Sequence, residues 1–197
     1  MDDAILGAAA GLAGAVIGAA GAVASAAVTG RRQARGEQEQ WRRDVRRTAY
    51  VGFINACRTL VMRVGDLHGS VLTARGTVPA AEAVDAAVTA IVTEKWPDIV
   101  RAMEECGNAL SGVELEGSPA VARTALSTKR ALYVLAVAEL ERCHPMATAL
   151  ARTLVGGEWS TLEAVEPELR GTYRDQMDTA NRLLDQFTTK SREALDA

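Results

Sequence analysis

Residues 4–28 carry no charged side chain, and beyond Thr48 apolar residues recur every three to four positions. The first pattern predicts a helix that can sit wholly in an apolar medium. The second predicts amphipathic helices packed around a core. An uncharged run of 25 residues rises roughly 37 Å as a helix, enough to cross a hydrocarbon layer of about 30 Å. Within it Gly7, Gly11, Gly14, Gly18 and Gly21 alternate spacings of four and three, and Ser25 extends the row. At the turn of an α-helix the five glycines fall within an arc of about 80°. Ile5, Leu12, Val16 and Val23 fall on the opposite side. A smooth face of this kind lets a second backbone approach closely. The expectation is a membrane span that self-associates or packs against another membrane protein.

The remaining apolar spacing predicts helices throughout. Tyr50, Phe53, Ile54, Cys57, Leu60, Val61 and Val64 form one stripe, ended by the stretch from Gly76 to Pro79. Thr77 is expected to cap a second helix with Val84, Val88, Ile91 and Val92 inward. Trp96-Pro97 is expected to break that helix, because the residue before proline avoids the helical region. A short helix then places Ile99, Val100, Met103 and Leu110 inward, and residues 112–117 read as a loop. Ser118-Pro119 is a helix start, a cap followed by proline at the first helical position. That helix runs to about Cys143. Another is expected over 146–155, and Ser160 with Glu163 reads as a capping box. The last helix presents Leu169, Tyr173, Met177, Ala180, Leu184 and Phe187, close to a coiled-coil seam.

No segment alternates apolar and polar residues, so the fold class read from the pattern is all-α. It comprises one N-terminal transmembrane helix, then a cytoplasmic antiparallel helical bundle of four or five main helices. The expected divisions are an anchor over 1–29, an arginine-rich juxtamembrane connector over 30–47, and the bundle over 48–197.

Charge sets the orientation. Arg31, Arg32, Arg35, Arg42, Arg43, Arg46 and Arg47 follow the uncharged run, while only Asp2, Asp3 and the terminal amine precede it. Positive charge stays on the cytoplasmic side, which puts the N-terminus outside and the C-terminal domain in the cytoplasm. A secretory signal peptide starts with basic residues, whereas this chain starts Met1-Asp2-Asp3. If the helix continues past the span, the seven arginines cover an arc of about 160°. Such a stripe can hold anionic lipid headgroups. The whole chain carries a formal charge of −3, so it has no general basic field for nucleic acid.

The uncharged small-residue span is followed by Gly30-Arg31-Arg32-Gln33-Ala34-Arg35, by Trp41-Arg42-Arg43-Asp44, and by Arg46-Arg47-Thr48-Ala49-Tyr50-Val51-Gly52-Phe53. This arrangement resembles uncharacterised actinobacterial single-span membrane-anchored helical proteins. The resemblance covers about the first 60 residues. It implies one anchor and a cytosolic helical domain, and it supplies no activity.

Candidate chemistry is sparse. Cys57, Cys106 and Cys143 are far apart without a Cys-x-x-Cys motif, which reads as three free, buried thiols in a reducing compartment. Glu141-Arg142-Cys143-His144 has the Glu-x-x-His spacing of di-iron bundles, but a second copy is missing. His68, the other histidine, has Gly65 where its glutamate would stand. Phosphate-binding, nucleophile-elbow and zinc-protease motifs are absent. The sequence therefore names no catalytic residue, cofactor or metal ligand. The function it favours is a non-enzymatic, membrane-anchored interaction or scaffold protein. Alternatives are a pore-forming effector, or an accessory subunit of a membrane complex.

Overall fold

The computed structural model of the chain describes residues 2–78, 80–143 and 171–196, and within them the side chains of 25, 33–78, 80, 83–143 and 171–196. All four helices in it are α-helices: α1 (Asp2–Thr77), α2 (Ala81–Glu116), α3 (Pro119–Cys143) and α4 (Tyr173–Asp196). No strand occurs among the described residues. The chain divides into two units, Met1–Asp44 and Val45–Ala197.

In the first unit the side chains of residues 33–44 are all exposed. Gln33 Nε2 donates to Glu37 Oε1 one turn further on, at 3.1 Å. Among the described residues no helix is long and apolar enough to cross a membrane. Of the uncharged run at 4–28, only the side chain of Ser25 is described, so the expected span lies outside that search.

The second unit is a bundle in which successive helices run antiparallel. Cys57 of α1 meets Cys106 of α2, and further along Asp66 meets Lys95. Tyr133 Oη of α3 donates to the Met103 carbonyl of α2 at 2.5 Å. Thr128 Oγ1 of α3 reaches the Leu183 carbonyl of α4 at 3.2 Å, while Arg142 meets Gln176. Phe187, late in α4, packs on Tyr50 and Phe53, near the start of the part of α1 that belongs to this unit.

The α1 stripe extends past the expected Val64. Tyr50, Phe53, Cys57, Leu60, Val64, Leu67, Val71 and Ala74 are all buried. Their spacing alternates three and four throughout, the seam of left-handed knobs-into-holes packing. In α2 Val88, Val92 and Trp96 are spaced by four, and from Trp96 on Ile99, Met103, Cys106, Leu110 and Val113 follow the same rhythm. The expected stripe of α4 holds for Ala180, Leu184 and Phe187, which are buried, and for Tyr173 and Met177, which pack at its edge. Leu169, the expected helix over 146–155 and the Ser160–Glu163 capping box lie outside the described residues.

Three boundaries differ from expectation. First, Thr77 does not cap α2. Its hydroxyl donates back to the Thr73 carbonyl at 2.9 Å, and Ala80 occupies the extended cap position. Second, Pro97 does not break α2, which runs through it. Buried Val92 and Trp96 before the proline, and Ile99 and Met103 after it, anchor both halves to the same core. That packing offsets the lost hydrogen bond to the Thr93 carbonyl. Replacing exposed Pro97 with alanine restores that bond. It is expected to stabilise the bundle by about 2 kcal/mol, the helix-propensity gain less the entropy returned to the unfolded chain. Urea unfolding with and without the substitution measures it.

Third, residues 112–116 continue α2 instead of forming a loop. Gly112 faces the Ala49 methyl, and Val113 is fully buried. The helix stops at Gly117, whose N–H donates to the Val113 carbonyl at 2.8 Å. A Cβ there would lie 2.5 Å from that carbonyl oxygen and 3.3 Å from Tyr50 Oη, so only glycine fits. The Ser118-Pro119 start is as expected. Ser118 Oγ accepts from the Val121 N–H at 3.4 Å, and its carbonyl accepts from Ala122 at 2.9 Å.

Candidate functional site

The residues expected to act at a membrane fall along α1. Gly7, Gly11, Gly14, Gly18 and Gly21 have helical backbone, and their surroundings lie outside the described residues. Ser25, the last member of the glycine row, is exposed. Arg31 and Arg32 are helical, with side chains outside the described set. Arg35, Arg42, Arg43 and Arg47 are exposed, as is Trp41 at 63 %. Arg46 differs from them. Its Nε donates to the Glu116 carbonyl at 3.1 Å, so this cation satisfies the C-terminal end of α2.

The bundle also assembles a polar cluster that the sequence did not suggest. Glu139 lies on the buried face of α3, one turn from Leu135 and one turn from Cys143, and is 2 % exposed. A carboxylate so placed needs donors to offset its desolvation. His68 Nδ1 of α1 lies 2.8 Å from Glu139 Oε1, and Arg142 Nη1 donates to Oε2 at 2.5 Å. The Cys143 thiol donates to Oε1 at 3.5 Å. Arg142 Nη2 in turn donates to Gln176 Oε1 of α4 at 2.5 Å. The His68 ring stacks on Tyr173 of α4, with centroids 3.7 Å apart and planes 6° from parallel. Arg75 Nη2 adds a bond to the Arg142 carbonyl at 3.1 Å. The cluster thus fastens α1, α3 and α4 at the end of the bundle where α3 stops.

Its electrostatics follow from burial. The Cys143 thiol is pushed up to about 12, first by desolvation and then by the charge and hydrogen bond of Glu139. It stays a thiol at neutral pH and is a poor nucleophile. Burial also raises the Tyr173 phenol, reinforced by Glu139 and partly offset by Arg142. At the start of α4, Asp175 is held low by the Thr172 hydroxyl and backbone N–H, which bond its Oδ2 at 2.7 and 2.9 Å.

Donation from His68 Nδ1 to the Glu139 carboxylate leaves Nε2 as the remaining ring nitrogen, half of a general-base arrangement. Among the described residues no hydrogen bond joins His68 to a serine, threonine or cysteine. Nor do the described residues contain a group of three or more His, Cys, Asp or Glu placed to hold a metal ion. His144, with Glu141 the other half of the Glu-x-x-His spacing, lies outside them. The geometry is that of a clamp.

The three cysteines are free and buried, as expected. Two of them meet: Cys57 and Cys106 sulfurs lie 3.6 Å apart across the α1–α2 seam. Sequence spacing gave no sign of this contact, which joins positions 49 residues apart.

Comparison with known proteins adds no analogy: no family model, curated protein or solved structure matches the chain.

Proposed function

We propose that the chain is a membrane-anchored, non-enzymatic scaffold. It self-associates through the glycine row of residues 7–25 and presents its helical bundle to partners in the cytoplasm. The observation that carries this reading is that α1 is helical across all of residues 4–28. A helix satisfies every backbone polar group within itself, the condition for a segment surrounded by lipid. The exposure of Ser25 agrees with a row left open for another helix. The exposed Arg35, Arg42, Arg43 and Arg47 are placed to meet anionic headgroups, each contributing about 1 kcal/mol near the surface. Among the described residues the polar cluster around Glu139 ties three helices together, which supports a role in arranging other molecules.

Gly14→Ile tests the association. A β-branched side chain in the middle of the row holds the two backbones apart. The expected result is that the variant stays in the membrane pellet after an alkaline carbonate wash but no longer cross-links to itself. Release of the wild-type chain by carbonate removes the anchor. Undiminished cross-linking of Gly14→Ile removes the glycine row as the contact.

A further inference from the structure

Among the described residues outside the clamp, Cys57 and Cys106 bring two reactive groups face to face. Both are fully enclosed, and they face each other at 3.6 Å from inward positions of α1 and α2. A disulfide brings sulfurs to about 2.05 Å, so closing the pair requires an approach of about 1.5 Å, shared between side-chain rotation and helix shift. The two thiols differ in readiness. The contact with Cys57, in which either sulfur can donate, and the positive charge of Lys129 on α3 hold Cys106 low against its burial, while the same contact and burial drive Cys57 up. Lys129 is itself buried, with its ammonium 4.9 Å from the Tyr133 ring. At this separation each sulfur is within reach of the other for a two-step closure.

We propose that Cys57 and Cys106 are a redox modification site, closing to a reversible disulfide that staples α1 to α2, with hydrogen peroxide as the oxidant. The Cys106 thiolate attacks one peroxide oxygen. The O–O bond breaks, Cys106 becomes a sulfenic acid, and hydroxide leaves to take up a proton as water. The Cys57 sulfur then attacks the sulfenic sulfur. The S–S bond forms, the S–O bond breaks, and a second water leaves with the Cys57 proton. Two thiols are oxidised by two electrons, and one peroxide is reduced to two waters. A dithiol reductant reverses the step. In a reducing compartment such a bond is transient and signals oxidant exposure. Cys143 takes no part, because its thiol is committed to Glu139 and stays protonated.

The test treats the full-length protein in mild detergent with hydrogen peroxide, quenches with acid, and alkylates in denaturant before mass analysis. The expected product has one alkylated thiol, Cys143, in place of the three of the untreated chain. It is lighter by two hydrogens before alkylation and contains a Cys57–Cys106 cross-linked peptide. Cys143→Ala keeps the cross-link, and Cys106→Ser loses it. Circular dichroism of each variant verifies that the bundle is folded. Three free thiols after treatment overturn the proposal. So does a link involving Cys143, or oxidation of Cys106 to sulfinic acid without a link.

Discussion

Phe187→Ala is expected to destabilise the bundle by about 4 kcal/mol, the cost of deleting a fully enclosed phenyl ring. Phe187 has no exposed surface and sits between two rings of α1. Its centroid is 4.9 Å from Phe53 and 6.0 Å from Tyr50, both edge-on. The change removes apolar burial, leaves a cavity and abolishes two aromatic contacts together. Phe187→Leu keeps much of the volume and loses only the ring geometry, so it should cost about 1.5 kcal/mol. Urea unfolding of the full-length protein in mild detergent, followed by circular dichroism, reads both. A loss below 1 kcal/mol for alanine, well short of the usual range for a buried phenylalanine, would mean that α4 does not pack where the structure places it.

The second large effect belongs to Glu139. Glu139→Ala should cost about 3 kcal/mol, because it strands three donors that now share one carboxylate. The donors are unequal. His68 and Arg142 keep 27 % and 33 % of their side-chain surface exposed and can turn partly to water, whereas Glu139 keeps 3 %. Removing Arg142 should therefore hurt as much as removing Glu139, since it leaves a buried carboxylate short of its strongest partner. A double-mutant cycle between the two positions should return a coupling well above the about 0.5 kcal/mol of an exposed pair. The surface pair Lys95–Asp66, at 2.6 Å with Asp66 57 % exposed, makes the natural comparison and should couple weakly. Coupling equal to that of the surface pair would show that the clamp carries no stability.

These two positions mark what was legible in the chain. Phe187 was readable because it sits three positions past Leu184 and seven past Ala180 on a regular stripe, and periodicity alone reveals such a face. The α1 seam was readable for the same reason up to Val64, and its continuation through Leu67, Val71 and Ala74 follows the same count. Pro97 misled because local preference was set against packing that the chain reveals only after folding. Trp96 and Ile99 hold α2 together across the proline. The glycines of 112–117 misled similarly, since Gly112 is a contact point with Ala49 rather than a turn.

Glu139 did leave a signal. It is a charged residue set into the apolar face shared by Leu132, Leu135 and Cys143. A carboxylate at such a position requires partners, and their existence could have been anticipated. Their identity could not, because His68 lies 71 residues away and Gln176 meets Arg142 from a helix 34 residues further along the chain. The Cys57–Cys106 contact depends in the same way on the register of α1 against α2. Register between helices is set by the summed packing of many side chains, and no single spacing encodes it.

Self-association of α1 through its glycine row is the central claim, and the mass of the full-length protein in mild detergent tests it most directly. Light scattering with the detergent contribution subtracted should return a defined multiple of the 20.8 kDa chain, falling to the monomer in Gly14→Ile. A wild-type mass equal to one chain across a range of protein-to-detergent ratios would contradict it.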